Sequence, residues 1–161
     1  MATEIGIISD THNHLPKEIK KFFNGVDLIF HAGDIGDAPK LQQLHNIAPT
    51  QAIYGNMDLY TLSSVLPAQI SLKIEDFQIL MQHNIGNLFN FFWKLHNKNL
   101  KPFPDIIIFG HTHRAVFENI EGTLFINPGS ASQGRGGFPT SVMRLTLSKG
   151  EDPQHKIIEI S

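Results

Sequence analysis

Seven side chains with oxygen or imidazole donors stand at the ends of apolar segments in this sequence. No cysteine is present, so a metal site here would use carboxylate, amide and imidazole groups. Such groups bind divalent metal ions, and pairs of these ions activate water for hydrolysis. The set therefore predicts a hydrolase with a dinuclear metal site. Its members are Asp10, His12, Asp34, Asn56, His83, His111 and His113.

The spacing within two of these groups favours chelation. Asp10 is separated from His12 by one residue, and His111 is separated from His113 in the same way. In an extended segment, residues two positions apart point in the same direction, so the side chains of each pair converge. Each pair is thus able to chelate a metal ion.

The net charge of the predicted site favours an anionic substrate. Two divalent ions, the carboxylates of Asp10 and Asp34 and a bridging hydroxide leave a surplus of about one positive charge, and Asn56 adds none. A phosphodiester monoanion fits that surplus better than a monoester dianion. Asp34 has two oxygens and is predicted to bridge ions that lie about 3.5–4 Å apart.

The elements that must position these donors are buried strands. Four segments are almost continuously apolar, as expected of strands covered on both faces, and helices predicted at 16–23 and 38–46 connect the first three. Parallel strands end together at one sheet edge, where α/β proteins bind their ligands. A glycine before Asp34, Asn56 and His111 allows close backbone approach there. The strands are predicted at 5–9, 28–31, 51–54 and 105–109.

The second half of the chain predicts antiparallel strands around one more helix. Two pairs of strand-like segments flank short turns and are expected to form hairpins. Two mixed sheets that face each other with helices outside, a four-layer αββα sandwich of the α/β class, accommodate all these elements. The hairpins are 69–74 with 77–82 and 115–120 with 123–127; the helix is 87–98; two last strands are 141–148 and 156–160.

Length and composition restrict the class of protein. The 161 residues, 41% of them hydrophobic, fit a single domain over residues 1–161. A formal net charge of −2 provides no extended basic surface for nucleic acid or anionic lipid. No signal peptide precedes the first strand, and no apolar run approaches the roughly 20 residues that cross a bilayer. A soluble, cytoplasmic protein without a membrane partner is expected.

Five short motifs follow one another along nearly the whole chain. They are Asp10-Thr11-His12, Gly33-Asp34, Gly55-Asn56, Gly110-His111-Thr112-His113 and Asn127-Pro128-Gly129-Ser130. This series resembles the calcineurin-like metallophosphoesterase superfamily, and within it the small single-domain YfcE-like phosphodiesterases. The resemblance implies the metallophosphoesterase fold and a phosphodiesterase that uses two divalent transition-metal ions. Mn²⁺ is the first choice, and Ni²⁺, Zn²⁺, Fe²⁺ and Co²⁺ stay open.

The resemblance also implies which donors hold which ion. A hydroxide that bridges the ions is expected to attack a small phosphodiester substrate. The catalytic residues implied are Asp34, Asn56 and His83. Carried over by position, one ion is bound by Asp10, His12, Asp34 and His113, and the other by Asp34, Asn56, His83 and His111.

Two positions depart from the pattern of the wider superfamily. Met57 stands where many larger members have a histidine that assists chemistry, and Asn84 replaces the glycine after His83. A thioether donates no proton, so the group that protonates the leaving group is unassigned, with His14 as a candidate. Asp58 is expected to hydrogen-bond within its own loop.

Other polar residues near the motifs have roles that the sequence leaves open. His31 is expected to be buried beside the ligands rather than to bind metal. Asn127 and Ser130 are expected either to contact phosphate or to hold a neighbouring loop. Arg114 and Arg135 are either exposed to solvent or available to contact a phosphate or a nucleotide.

Two alternatives to a dinuclear phosphodiesterase also stay open. One branch of the same resemblance, the retromer subunit, uses this fold as a protein-interaction scaffold. Phe89 and Trp93 on the predicted helix would suit such a surface or a homo-oligomer contact. His12-Asn13-His14 imitates the opening of barrel amidohydrolases, although such barrels are usually longer than this chain. The natural substrate is not specified by any of these motifs.

Overall fold

The structure is a computed structural model that describes residues 1–160. The prediction of one domain over 1–161 stays a prediction, and residue 161 lies outside the described part. None of the helices in residues 1–160 combines the length and hydrophobicity needed to span a bilayer. The strands are β1 (Ala2–Ile8), β2 (Leu28–His31), β3 (Thr50–Ala52), β4 (Gln69–Ile74), β5 (Phe77–Gln82), β6 (Ile106–Ile108), β7 (Ala115–Ile120), β8 (Thr123–Pro128), β9 (Ser141–Ser148) and β10 (Gln154–Glu159); the α-helices are α1 (Ile19–Phe22), α2 (Ala38–His45) and α3 (Leu88–Asn97).

The strands form two mixed sheets of five strands each, so the predicted fold class is confirmed. The first sheet has the order β10-β9-β1-β2-β3, in which β1, β2 and β3 are parallel and β9 is antiparallel to both of its neighbours. The second has the order β4-β5-β6-β8-β7, in which β5, β6 and β8 are parallel and the edge strands are antiparallel. The parallel strands occupy the centre of the second sheet, whereas in the first sheet they extend from the central strand β1 to the edge strand β3.

Alternating side chains of the central strands build the four layers. Ile7 packs between the two sheets, whereas its neighbour Ile8 packs with Leu44 of α2 on the outer face of the first sheet. In the second sheet Ile107 faces outward and packs with Phe92 of α3. Burial of each such side chain contributes about 1.5–3 kcal/mol. Strands covered on both faces therefore need continuously apolar sequences, as the predicted strands have.

Most predicted elements lie where expected, and the differences concern their ends. Both hairpins match, and α3 begins after Asn87, whose side chain accepts a hydrogen bond from the Asn90 N–H (3.0 Å). The helix predicted at 16–23 is only a single turn, because no side chain caps its N-terminus. β1 and β10 are longer than predicted because their pairing with β9 extends to Ala2 and Gln154.

Candidate metal centre

The seven predicted donors lie on loops at one edge of the two packed sheets. The loops follow parallel strands, whose carboxyl ends meet at this edge. Both sheets contribute, so the cluster spans the two inner layers. The first sheet provides Asp10 and His12 after β1, Asp34 after β2 and Asn56 after β3; the second provides His83 after β5, and His111 and His113 after β6.

The carboxylate of Asp10 is completely buried and uses its two oxygens differently. Oδ2 accepts hydrogen bonds from the Ser9 hydroxyl (2.6 Å) and the His111 N–H (3.1 Å). Oδ1 has no hydrogen-bond partner among the described residues, and it lies 3.2 Å from Nε2 of His113 and 3.8 Å from Nε2 of His83. The Ser9 hydroxyl and the His111 N–H therefore hold Oδ2 in place, and Oδ1 is left directed at histidine nitrogens.

Asp34 has the same division between its oxygens. Oδ1 accepts a hydrogen bond from the Met57 N–H (2.8 Å), whereas Oδ2 lies 3.2 Å from Nε2 of His83 and 3.8 Å from Nε2 of His12. The His83 contact, the charges of the nearby histidines and the Met57 N–H outweigh the effect of burial and lower the pKa of Asp34. Asp34 therefore stays anionic. Its Oδ1 is held by the Met57 N–H, and its Oδ2 lies between a histidine of each predicted ion.

Backbone carbonyls orient two of the histidines. The Nδ1–H of His83 donates to the carbonyl of Ala32 (2.7 Å), and the Nδ1–H of His113 donates to the carbonyl of Gln133 (2.8 Å). A carbonyl only accepts, so it fixes the tautomer and leaves Nε2 of each ring with a free electron pair. Metal-binding histidines are commonly oriented in this way. Both rings thus present a metal-binding nitrogen to the two carboxylates.

The surroundings of His83 favour a positive charge at its Nε2 atom. Burial alone disfavours the charged ring, yet the contact with Asp34 and the charges of Asp10 and Asp34 raise the pKa of His83. No described group forms a hydrogen bond with this nitrogen. The site is therefore suited to a cation at this point, either a proton or a metal ion.

His111 and Asn56 meet at the exposed side of the cluster. Nδ1 of His111 lies 3.2 Å from Oδ1 of Asn56, and the ring of His111 packs edge-on against that of His83, with centroids 5.4 Å apart. Two ligands of one octahedral ion at about 2.1 Å would themselves be about 3 Å apart. Burial and the charge of His83 lower the pKa of His111, which keeps its nitrogen available.

The donor atoms group around two points that share a carboxylate. One group contains Asp10, His12 and His113, and the other contains Asp10, Asp34 and His83, with the ligand atoms of each group within 4.8 Å of one another. The first group matches three members of the first predicted set. The second differs from the predicted set because Asp10 also approaches His83. Asp10 thus belongs to both groups, whereas Asp34 belongs to the second group and its Oδ2 lies 3.8 Å from Nε2 of His12 in the first.

Most of the donor residues adopt an uncommon backbone conformation. Positive φ angles are rare outside glycine, and they cost about 1–3 kcal/mol when the surrounding structure imposes them. Such strain is concentrated at functional sites. The loops therefore hold these side chains in place against local preference. The angles are +54° at Asp10, +44° at His12, +56° at Asp34, +70° at His111 and +58° at His113.

Asp58 has a larger structural role than expected. Its buried carboxylate accepts hydrogen bonds from the N–H groups of Gly55 (2.9 Å), Gly36 (3.0 Å) and Ile35 (3.1 Å). It was expected to bond within its own loop, but two of its three donors lie on the loop after β2. Asp58 therefore joins the loop of Asp34 to the loop of Asn56.

The Asn-Pro-Gly-Ser segment holds neighbouring loops. The buried amide of Asn127 donates to the carbonyl of Gly110 (3.0 Å) and to the hydroxyl of Thr112 (3.1 Å). The buried hydroxyl of Ser130 donates to the carbonyl of Asp10 (2.9 Å). These contacts connect the loops after β1 and β6, so the open choice between phosphate contact and loop support favours loop support.

His31 is buried behind the donors, as expected. Its Nδ1 accepts a hydrogen bond from the Gly33 N–H (3.1 Å), and its Nε2 lies 3.0 Å from the hydroxyl of Thr11. That hydroxyl donates to the carbonyl of Ile35 (2.7 Å), so it accepts from Nε2–H of His31. Burial, followed by the charge of His83, lowers the pKa of His31 to about 3. The neutral ring therefore joins the first two donor loops.

Three residues with open roles lie outside the cluster of donors. His14 is exposed, and its side chain forms no hydrogen bond within residues 1–160. Arg114 and Arg135 are exposed as well. The side chain of Met57 is also 65% exposed, so only its backbone N–H supports the centre. The exposed thioether of Met57 thus offers no proton to a leaving group.

Comparisons with known proteins show the family of this chain. A sequence profile of the calcineurin-like phosphoesterase superfamily domain matches residues 3–150. A probable metallophosphoesterase of Methanothermobacter thermautotrophicus is 33% identical over 159 residues, which cover 96% of this chain and 91% of that protein. A phosphodiesterase of Methanocaldococcus jannaschii is 30% identical over 159 residues, with 85% and 89% covered.

The fold also has close relatives among solved structures. Vacuolar protein sorting 29 from Cryptosporidium parvum superposes with a TM-score of 0.79 and covers 99% of this chain and 98% of its own. The two sequences are only 18% identical, so this similarity concerns the fold alone.

Proposed function

The chain belongs to the calcineurin-like phosphoesterase superfamily, and from this premise we propose that it hydrolyses phosphodiesters at a centre of two divalent metal ions. One observation carries the proposal: Oδ1 of Asp10 and Nε2 of His83 are buried and have no hydrogen-bond partner in residues 1–160. A buried polar atom without a partner costs about 1–3 kcal/mol. Two such atoms, 3.8 Å apart, fit a site that binds cations.

The seven donors provide ligands for two ions of the transition series. Imidazole nitrogens and carboxylate oxygens without thiolates suit Mn²⁺, Fe²⁺, Co²⁺, Ni²⁺ or Zn²⁺, and Mn²⁺ is our first choice. When bound, such ions supply Lewis acids and the hydroxide nucleophile for attack at phosphorus. We propose that Asp10, His12 and His113 would hold one ion, that Asn56, His83 and His111 would hold the other, and that Asp34 would serve both.

The residues of the chain do the remaining work by position and charge. Asp34 and His83 are held by the Met57 N–H and the Ala32 carbonyl, so neither side chain must reorganise when substrate binds. Asn56 is uncharged, which limits the negative charge of the centre to two carboxylates. The small surplus of positive charge that results favours a diester monoanion over a monoester dianion.

The position of Met57 restricts the leaving groups that the enzyme handles well. Its thioether donates no proton, and His14, the candidate from the sequence, is exposed to solvent. The rate at which the leaving group departs therefore depends on the stability of the anion that it forms. We expect aryl esters to react much faster than alkyl esters, because an aryloxide needs no proton as it leaves.

Metal content and hydrolysis of bis(4-nitrophenyl) phosphate test the proposal together. Protein stripped with a chelator is reloaded separately with manganese, nickel, zinc or magnesium. Asp34→Asn is expected to bind fewer ions per chain and to lose about 100-fold or more in rate. Asp37→Asn is the matched control, because this carboxylate caps α2 and touches none of the donors.

The outcomes separate catalysis from a scaffold role. Hydrolysis that is indifferent to stripping and to every metal would end the dinuclear proposal. Failure to bind metal or to hydrolyse any phosphoester would favour the interaction scaffold. Faster turnover of 4-nitrophenyl phosphate than of the diester would contradict the substrate preference. A homo-oligomeric state and a cytoplasmic location stay predictions.

A further inference from the structure

Two arginines near the metal centre have no hydrogen-bond or salt-bridge partner among the described residues. Arg114 directly follows the donor His113, and Arg135 lies two residues after Gln133, whose carbonyl holds the same donor. Neither guanidinium forms a salt bridge or a hydrogen bond within residues 1–160. By contrast, Arg144 donates to two backbone carbonyls and pairs with a glutamate. The first two arginines are therefore available to a ligand.

An exposed aromatic ring accompanies one of these arginines. The guanidinium of Arg114 lies over the ring of Phe138, 5.2 Å from its centroid, within the range of a cation–π interaction. Phe138 is 42% exposed although it is a large apolar residue. The planar guanidinium and the ring together offer stacking surfaces for another planar group.

A tight turn places Phe138 and Arg135 together. The N–H of Phe138 donates to the carbonyl of Arg135 (3.0 Å), and the residues between them, Gly136 and Gly137, have φ angles of +60° and +83°. Other residues rarely adopt such angles, so glycine permits this turn. The two side chains that it presents therefore occupy neighbouring positions.

The turn is connected to the metal centre by specific contacts. The hydroxyl of Ser130 accepts a hydrogen bond from the Gln133 N–H (2.9 Å) and donates to the carbonyl of Asp10. The carbonyl of Gln133 also accepts a hydrogen bond from Nδ1–H of the donor His113 (2.8 Å). The turn that carries Arg135 is therefore anchored beside the loops of Asp10 and His113.

We propose that Phe138, Arg114 and Arg135 form a subsite that recognises the nucleotide part of a nucleotide phosphodiester. The base stacks on the surface of Phe138 and Arg114, and Arg135 binds phosphate oxygens beside the metal centre. This inference rests on the proposed phosphodiesterase function and narrows its substrate class. It accounts for an exposed aromatic ring and for two arginines that have no carboxylate partner.

Two diesters with the same leaving group test the subsite. Thymidine 5′-(4-nitrophenyl phosphate) and methyl 4-nitrophenyl phosphate differ only in the group that stays on phosphorus. The ratio of their kcat/KM values therefore measures recognition of the nucleoside. We expect the wild-type protein to prefer the thymidine ester, and Phe138→Ala to lower the ratio by about tenfold.

Matched variants make this measurement specific. Phe138→Tyr keeps a ring for stacking and is expected to retain the preference, whereas Arg135→Gln is expected to lower it. Phe89→Ala is the control, because Phe89 is 53% exposed on α3 and its ring packs with Trp93. An equal ratio in the wild type and Phe138→Ala, or no preference in the wild type, would overturn the proposal.

Binding of a product distinguishes failure of the subsite from failure of the proposed function. If neither diester is hydrolysed with any metal, the proposed function fails, and titration calorimetry with thymidine 5′-monophosphate then decides on the subsite. About tenfold weaker binding by Phe138→Ala than by Phe89→Ala supports the subsite. Equal affinity for the two variants overturns it.

Discussion

Acid is expected to destabilise the metal-free protein through His31. Burial is the main cause that lowers the pKa of this ring from 6.5 to about 3 in the folded protein. In the unfolded chain the ring is exposed and protonates near its ordinary pKa of about 6.5. Between these values the unfolded state binds more protons, so the free energy of unfolding falls as the pH falls. Above the ordinary pKa the ring is neutral in both states, so His31 no longer makes the free energy of unfolding depend on pH.

The size of the effect follows from the two pKa values. One pKa unit corresponds to about 1.36 kcal/mol. A pH of 4.5 is about two units below the pKa of the ring in the unfolded chain, so the unfolded ring is protonated, whereas the folded ring is still neutral. His31 alone should therefore lower the free energy of unfolding by about 2.5 kcal/mol between pH 7 and pH 4.5.

Urea unfolding in the presence of a chelator measures this loss, and two variants isolate it. In His31→Asn the amide oxygen keeps an acceptor for the Gly33 N–H, and in His31→Gln the amide nitrogen keeps a donor for Thr11. Neither side chain titrates. Both variants should be less stable than the wild type at pH 7, and the difference should shrink by about 2.5 kcal/mol at pH 4.5. Equal losses in all three proteins would refute the role of His31.

Three further substitutions test other parts of the structure. Asp58→Ala leaves three N–H groups without their acceptor and should cost about 3 kcal/mol in urea unfolding, whereas Asp37→Ala should cost less than about 2 kcal/mol. Met57→His places a proton donor beside the centre and should raise kcat for alkyl diesters by up to about 100-fold, with little change for 4-nitrophenyl esters; equal gains for both would contradict this role. Phe125→Ala removes a completely buried ring from the layer under α3, so thermal or urea unfolding should show a loss of about 3–5 kcal/mol with unchanged metal content per chain.

The strands, and the gathering of the donors at one edge, were predictable from local patterns. Ile7 and Ile8 face opposite sides of one strand, and both are apolar because both faces are covered. Such strands are continuous apolar runs in the sequence. Each run therefore shows its end where the first polar metal-binding residue follows it. The convergence of Asp10 with Asp34, which follow two strands of the first sheet, then followed from the rule that parallel strands end at one edge. The approach of Asp10 to His113 depends in addition on how the two sheets pack, because His113 follows a strand of the second sheet.

The support of the donors was not predictable, because it depends on contacts between distant segments. The carbonyls of Ala32 and Gln133 orient two histidines, and a backbone carbonyl leaves no trace in a sequence. Asp58 follows Met57 and looks like an ordinary turn residue, although its acceptor atoms serve another loop. The predicted length of α1 was too long, because a proline suggested a helix start that no capping side chain supports.

The placement of the donors on both sheets gives the centre a mechanical consequence. Asp10 follows a strand of the first sheet, which combines β1, β2 and β3 with the last two strands of the chain, whereas His83 and His113 follow strands of the second sheet. Ions bound between these residues would link the two sheets, and the free energy of metal binding would add to the stability of the folded state. Chelation should therefore lower Tm. Affinity for metal thus becomes a measure of how firmly the two sheets pack against each other.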